Sequence, residues 1–418
     1  MNALNSAPKT ERIAYIASQY PTLRETFVIR EILELERLGV EVAVYSLKRP
    51  MEGLAHRDLR EVRAKVYYSP HLLSWPLLRD NLATFLESPL KYVTFMAARV
   101  WALRRYPVQA LKALLLFPKM IHYARHMKRS GLERANACWA NLPAALAMIG
   151  RRFFGIRYCM TCHAWDIFVP MNQVGLAEKI REANLARTIS DFNVRLLRSF
   201  CATEEDKRKV VRNYIGVDVD RLKVRPAAPT GRFLMAAGGS LIEQKGLRHL
   251  LDAMARLREA GVSCDLRIVG EGELRKPLEE QIRRLGLGDC VEMAGAMSNE
   301  AFLDLTRQSG AFALPCVQAA NGMMDGIPTV LVEAMALGVP VVSCAISGTP
   351  ELIEDGVSGL LTPPRDAEAL AAAIKRLIDD RNLRETLARN GRAKVEQLFD
   401  IRRNVALLVQ QYREWGVL

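Results

Sequence analysis

The chain has 418 residues, half of them apolar and a quarter charged, a composition that excludes a disordered or fibrous protein and a length that predicts two or three domains of roughly 150 residues each. Its 59 Lys and Arg exceed its 46 Asp and Glu by 13, but unevenly. Residues 1–230 carry 37 basic and 21 acidic side chains, a net +16, whereas 231–418 carry 22 and 25, a net −3, so the halves suit partners of different charge.

The first segment, MNALNSAPKTERIAYIASQYP, lacks the basic start and long apolar run of an export signal. Eight scattered cysteines form no framework and suit a reducing compartment. No window approaches about 18 uninterrupted apolar residues. A cytoplasmic chain without a spanning helix is the expectation. Ile13 to Ala17 reads as a strand, Glu25 to Leu38 as a helix stopped by Gly39, and Glu41 to Leu47 as a second strand, with Gly39 where a helix end favours a left-handed residue. From Leu72 to Arg129 the spacing is helical, with ten Lys or Arg and two acids. That stretch fits two readings, a face lying on a bilayer and an inserted helical pair packed on its own domain with a solvated basic side. Strand-like runs resume at Ala135 to Trp139, Arg157 to Thr161 and Ala186 to Ser190.

Residues 212–232, with two prolines, two glycines and no long period, read as a connection between domains. Beyond it, strands at Phe233 to Ala237, Asp265 to Val269, Cys290 to Met293, Ala311 to Leu314, Val339 to Cys344 and Gly359 to Leu361 alternate with amphipathic helices, the pattern of a parallel sheet covered on both faces. The predicted organisation is an N-terminal Rossmann-like α/β domain over 1–211 with a basic helical insertion at 72–130, the linker 212–232, and a second Rossmann-like domain over 233–398. A final helix, 399–418, is expected to cross back to the first domain. Two such domains predict a cleft with ligands at the carboxyl ends of the strands.

Three stretches carry chemistry. In NGMMDGIPTVLVEAMALGVP (321–340), Pro328 suits a first helical position and Thr329 to Leu337 is helical. The free backbone N–H groups of that first turn suit a diphosphate. Asp325 on the preceding loop and Glu333 in the second turn are double acceptors for the hydroxyls of one ligand, although dipole pairing alone also accounts for Asp325. In GGSLIEQKGL (238–247), Gly238 and Gly239 let backbone approach a phosphate and Lys245 supplies a point charge. In the third stretch, TCHAWD (161–166), His163 follows a strand. A lone histidine is usually an ordinary core or surface residue, and Asp166 either orients it or, more simply, caps a helix. Gly270 and Gly272 in VGEGELRKP are no dinucleotide fingerprint, because Arg275 stands where a third small residue is needed. Cys159, Cys162 and His163 are too few for a structural zinc site. Asp218-Val-Asp220 imitates a metal-binding pair but lies in the linker.

The 231–395 segment resembles the family 4 retaining glycosyltransferases of the GT-B fold, whose hallmark is an acidic residue paired with a glutamate across seven intervening positions, here Asp325 and Glu333. SQYPTLRETFVIREILELERLG, CHAWDIF and CVQAANGMMDGIPTVLVEAMA are similar to the colanic acid and exopolysaccharide branch. The resemblance implies that Glu333 holds the ribose of a UDP- or GDP-sugar and that Asp325 contacts the transferred sugar. Backbone amides of Gly326, Ile327, Pro328 and Thr329 would border sugar and diphosphate, while Gly270 to Glu273 and Met293 to Met297 wall the base. His163 would line the reaction centre, and Glu25, Thr26 and Phe27 would approach the acceptor or simply cap a helix. Two departures stand out: Asp325 replaces the usual Glu, and Ser240 replaces the usual Arg. Lys245 is then left to neutralise the diphosphate unless Arg248 or Arg225 turns inward.

The function implied is transfer of a hexose, with retained anomeric configuration and no obligatory metal, onto a hydroxyl of a glycan, lipid-linked and presented at an anionic membrane surface. The basic excess lacks any zinc finger, helix-turn-helix or stacking pattern for nucleic acid. Two other readings are a sugar-nucleotide epimerase on the same fold and a membrane-associated scaffold that lost transfer through Ser240.

Overall fold

The computed structural model describes residues 11–22, 26–50, 57–225 and 231–418, so Glu25 and the first ten residues lie outside the described residues. The chain divides into two compact units: one comprises residues up to 188, 194–213 and 405–418, and the other 189–193 and 214–404.

The first unit opens with β1 (Arg12–Gln19), α1 (Thr26–Arg37), β2 (Glu41–Lys48) and β3 (Lys65–Tyr68). Helices α2 (Trp75–Glu87), α3 (Pro89–Ala102) and α4 (Pro107–Arg129) follow, then β4 (Arg134–Ala137), α5 (Leu142–Phe154), β5 (Arg157–Cys162), α6 (Trp165–Phe168) and α7 (Leu176–Glu182). The unit is completed by β6 (Leu185–Thr188), most of α8 (Asp191–Ser199), α9 (Glu204–Arg208), β7 (Val210–Arg212) and a late-arriving stretch of chain. Its seven strands pair in parallel in the order β3-β2-β1-β4-β5-β6-β7, with Tyr15 opposite Val44 on one side and Asn136 on the other. The short strands β3 and β7 were not apparent from the sequence: KVYY and VVR are each too brief to show alternation.

The inserted region forms three helices rather than a pair. Ser88 ends α2 and Pro89 begins α3 at once, so one helical period conceals a break. The helices hold one another through a buried Asp80, which accepts from His122 at 2.6 Å, Arg129 at 2.8 Å and Arg79 at 3.1 Å. Burial pushes this carboxyl up, but the three partners outweigh it and hold it below its ordinary range. Asn81 donates to the carbonyl of Pro118, inside α4, and accepts from Tyr92. Phe95, Phe117, Met120 and Ile121 are buried. The opposite sides are not: Leu73, Trp75, Leu86, Leu90 and Trp101 are each more than two-thirds exposed.

The second unit runs β8 (Phe233–Gly238), α10 (Leu247–Glu259), β9 (Cys264–Val269), α11 (Arg275–Arg284), β10 (Val291–Gly295), α12 (Asn299–Gln308), β11 (Ala311–Leu314) and α13 (Thr329–Ala336). It continues through β12 (Val341–Cys344), α14 (Thr349–Leu352), β13 (Leu360–Thr362), α15 (Ala367–Asp379) and α16 (Arg381–Leu398). Then α17 (Ile401–Glu414) carries the chain back into the first unit, where Tyr412 is fully buried and its hydroxyl lies 3.5 Å from that of Tyr15. Six parallel strands take the order β10-β9-β8-β11-β12-β13. β11 and β12 are short strands buried on both faces, as the middle of a helix-covered parallel sheet requires, whereas β9 and β10 towards the edge expose Arg267 and Glu292, which pair at 2.7 Å. Side-chain caps start the long helices: Asp366 accepts from Ala369 N–H and Asp380 from Leu383 N–H.

Strand order reverses between β1 and β4 in one sheet and between β8 and β11 in the other. At such a point the loops leaving adjacent strands diverge to opposite faces, opening a crevice at the strands' carboxyl ends.

Candidate functional site

The switch point of the second sheet brings the loop after β8 beside the loop after β11. Lys245 ends a single 3-10 turn, Glu243–Lys245, and Gly246 in the left-handed region (φ 66°) turns the chain into α10. A Cβ on Gly246 would stand 1.8 Å from the Pro315 carbonyl oxygen, so glycine is required for the two loops to touch. Backbone bonds then stitch them: Val317 N–H donates to Gln244 O at 3.0 Å, and Ala320 N–H to the Glu243 carboxylate at 3.1 Å. Across this seam the Lys245 ammonium meets Asp325 at 2.8 Å, with side chains 13% and 17% exposed, and the Cys316 thiol lies 3.7 Å from the same carboxylate oxygen. Burial pushes Lys245 down, yet the Asp325 charge more than offsets it, and the amine stays protonated beyond its ordinary range.

Four residues after Asp325, α13 begins. Pro328 is its N-cap (φ −65°, ψ 120°), not its first helical residue, and offers no side-chain cap to the amides of the first turn. Every other side chain from Val330 to Ala336 is apolar, so the carboxylate of Glu333, 5% exposed, is costly there unless hydrogen-bonded. Glu333 stands roughly 6 Å up the axis from Thr329, in the second turn, as its spacing predicts. Ile327 points into the core, and Gly326 O accepts from Gly348 N–H at 3.0 Å.

The remaining glycines answer to protein backbone. A Cβ on Gly270 would lie 1.9 Å from Gly239 O, on Gly272 2.4 Å from Leu241 O, and on Gly238 2.8 Å from the Phe302 ring. Of these four, Gly239 (φ 125°) alone would seat a Cβ without a clash, in ordinary contact with the Lys245 stem at 3.6 Å. Ser240 follows it, half-buried. Neither proposed substitute for an arginine at this position reaches Lys245: Arg225 donates to Ser309 O at 2.5 Å, before the start of β11, and Arg248 is exposed on α10. Burial draws Arg225 down to about 10. Two residues that sequence reasoning missed lie beside Gly326. Ser347, at a positive φ of 52°, and Thr349 each bury a hydroxyl without a hydrogen-bond partner. A non-glycine residue at positive φ costs energy that functional sites tend to retain. The sequence signal was Ser-Gly-Thr-Pro, separated from the end of β12 by two residues.

In the first unit, His163 leaves the end of β5 and lies 5% exposed between the rings of Phe27, at 4.8 Å, and Trp139, at 4.6 Å. Burial, reinforced by the charge of Arg187, pulls the imidazole down to about 3, so it is neutral across the physiological range. Asp166 neither orients that ring nor caps a helix. Its carboxylate accepts from the backbone N–H groups of Ala140 at 2.8 Å, Ala164 at 3.0 Å and His163 at 3.1 Å, clamping the loops after β4 and β5 together. Burial raises it to about 6 against the pull of those backbone hydrogen bonds. Lys179 seals the same seam from α7, donating to Ala140 O at 2.7 Å, and burial lowers it to about 8. Beneath, Arg187 bonds both oxygens of Glu31 at 2.6 Å and Thr161 at 2.7 Å. Thr26 and Phe27 open α1; Glu25 lies outside the described residues.

Cys159 and Cys162 are buried thiols, Cys159 lying 3.3 Å from Asn136 Oδ1. Asp218 and Asp220 pair with Arg402. Among the described residues no three His, Cys, Asp or Glu side chains are grouped to hold a metal ion, and no helix is long and apolar enough to cross a membrane.

The family model for glycosyl transferases group 1 matches residues 218–394. A putative colanic acid biosynthesis glycosyltransferase, WcaL, of Escherichia coli K12 is 29% identical, over 96% of this chain and 99% of its own. The amylovoran biosynthesis glycosyltransferase AmsK of Erwinia amylovora is 37% identical, over 93% and 96%. Among solved structures, Anabaena Alr3699/HepE in complex with UDP and glucose superposes with a TM-score of 0.72 at 19% identity, covering 97% of this chain and all of that one. Sucrose-phosphate synthase of Thermosynechococcus elongatus gives the same score and identity. The two Rossmann-like units thus have the GT-B fold, and the chain belongs to the group 1 glycosyltransferases of exopolysaccharide biosynthesis.

Proposed function

We propose that this glycosyltransferase moves a hexose from a UDP- or GDP-sugar to a hydroxyl of a lipid-linked glycan, with retention and without an obligatory metal. The observation that carries the reading is the Lys245–Asp325 pair at 2.8 Å, set across the switch point just before the uncapped start of α13. A protonated lysine and the first-turn amides ahead of Leu331, whose own N–H donates to Pro328 O at 3.0 Å, form a preorganised place for a diphosphate, and each well-placed donor is worth about 3–4 kcal/mol against the charge that develops on departure. The hydroxyls of Ser347 and Thr349 add donors beside Gly326. Asp325 is the acceptor for hydroxyls of the hexose and Glu333 for those of the ribose. HepE's complex with UDP and glucose supports a nucleotide-sugar donor here.

In the proposed step the bond from the anomeric carbon to the β-phosphate oxygen breaks while the acceptor oxygen bonds on the same face. The acceptor proton passes to the departing phosphate oxygen, leaving an extended glycan and a nucleoside diphosphate. His163, held neutral, serves as a hydrogen-bonding wall rather than a cation. The exposed apolar and basic faces of α2, α3 and α4 support a peripheral position on an anionic leaflet, where the acceptor's lipid is anchored. A radiolabelled panel of UDP- and GDP-sugars with membrane extract as acceptor tests the function. Labelled lipid-extractable glycan is expected. A scaffold would bind neither nucleotide in calorimetry, and an epimerase would convert donor without acceptor.

A further inference from the structure

The first unit contains a cavity of about 310 Å3 bounded by α3, α4, the start of α5 and the segment after β5. Phe95, Val100, Leu103, Phe117, Ile149 and Met171 make most of its wall apolar. It is no packing defect: cores rarely leave voids larger than a water molecule, and the half-buried Val100 and Leu103 and exposed Leu114 on its wall open it outward. Its size is at the lower end for small-ligand sites.

Three observations say what fits. One wall is Trp165 and Asn172, on the segment that His163 begins and that Asp166 clamps to Ala140. Cations stand in a largely apolar lining that also includes Gln109, Asn141 and Asn172: Lys179 is 6% exposed with one donor on Ala140 O, Arg99 buries an Nε without a hydrogen-bond partner, and Lys112 stands on α4. Glu178 and Glu182 are paired with Arg99 and Arg152, and the Asp166 carboxylate is spent on backbone N–H groups, so Lys179 and Lys112 are the cations left over on this wall. Finally, Leu114 belongs both to the cavity wall and to the exposed apolar face of α4, so cavity and outer face are continuous.

We infer that the cavity holds the first part of the hydrocarbon chain of a lipid phosphate, the anchor of the acceptor, with its phosphate at Lys179, beside the unbonded Nε of Arg99, and its glycan led past Trp165 to the His163 loop. This rests on the reading that the acceptor is lipid-linked. A single apolar chain bearing an anion matches an apolar cavity with basic groups at one wall, and the continuous outer face gives the chain a path from a bilayer.

Calorimetry with farnesyl phosphate and n-dodecyl phosphate below their micellar concentrations, against n-butyl phosphate, tests it. The small half-buried Ala113 lines the cavity, and Ala113→Trp fills it. Saturable one-to-one binding of both long-chain phosphates is expected, none of the butyl compound, and at least a tenfold loss in Ala113→Trp with UDP binding retained as the check on folding. Ala145→Leu, a milder filling of the same wall, gives an intermediate loss. Flotation on phosphatidylglycerol vesicles stays unchanged in both variants, since that contact uses the outer face. Absence of saturable long-chain binding, equal binding by Ala113→Trp, or loss of flotation with it overturns the inference. So does transfer to membrane extract that is identical in wild type and Ala113→Trp. Should wild type bind the long-chain phosphates yet transfer to no lipid extract, the lipid-linked acceptor has failed rather than the cavity.

Discussion

Replacing Lys245 with Met keeps the aliphatic stem and removes the charge, which separates two consequences of one contact. At 2.8 Å and an effective dielectric of about 20, the gross attraction to Asp325 is about 6 kcal/mol, most of it cancelled by taking both groups out of water. Stranding a buried carboxylate costs roughly 3–5 kcal/mol, and because both side chains keep some exposure the lower figure is expected for Lys245→Met in urea unfolding of the second unit. The double variant Lys245→Met/Asp325→Asn removes the stranded charge and recovers most of that loss. Catalysis behaves differently. Loss of one charged donor to the departing diphosphate lowers turnover by about 10²–10³, and the double variant does not restore it, because the neutral pair offers the phosphate nothing. Initial rates with the active donor, together with UDP titration by calorimetry, read the outcome. Turnover within threefold of wild type and an unchanged UDP affinity in Lys245→Met would refute the diphosphate assignment.

His163 is protonated in the unfolded chain near 6.5 but in the folded one only near 3, so the unfolded state binds the extra proton between those values and stability falls as pH drops through that window, by roughly 1.4 kcal/mol per unit. Asp166, raised to about 6, acts oppositely; the expected result is therefore differential, His163→Gln gaining on wild type between pH 6.5 and 4 in denaturant titrations, with parallel curves counting against a buried neutral imidazole. Gly270→Ala, which places a Cβ 1.9 Å from Gly239 O, lowers the melting temperature far more than Gly261→Ala, where nothing lies within 4 Å and only the left-handed backbone costs about 1 kcal/mol; similar shifts would mean the loops can part freely. Leu86→Glu with Leu90→Glu abolishes flotation on anionic vesicles while leaving the melting temperature unchanged, since both side chains are exposed; flotation that persists would remove the outer face of α2 and α3 from the membrane contact.

Much of the second unit was legible in the sequence because its strands are mostly apolar runs, broken only by Asp265, Arg267 and Glu292 in β9 and β10, separated by regular amphipathic helices, and a helix-covered parallel sheet writes itself in that way. Thr329 to Leu337 differs from α13 by one residue for the same reason. The Asp325–Glu333 spacing pointed to this loop and helix, but the partner of Asp325 did not declare itself: its pairing with Lys245 depends on two loops that meet only at the switch point. Lys179 reads as an ordinary helical lysine in LAEKIRE, and its burial becomes visible only when Ala140 is brought above it. Asp166 was misread because an acid after a strand resembles a cap, whereas its acceptor capacity is spent on amides from two separate loops. Three helices passed for two since Ser88-Pro89 breaks the helix without breaking its apolar rhythm.

The first unit is assembled from a beginning and an end of the chain with the whole of the second unit between them. On the ribosome, residues up to 188 emerge early, yet the place taken by the fully buried Tyr412 beside Tyr15 stays empty until residues 405–418 are made. The nascent first unit therefore waits, with part of its interior uncovered, while the second is synthesised and can fold. Losing only the last few residues during translation would cripple the earliest-made portion of the molecule and spare the later one.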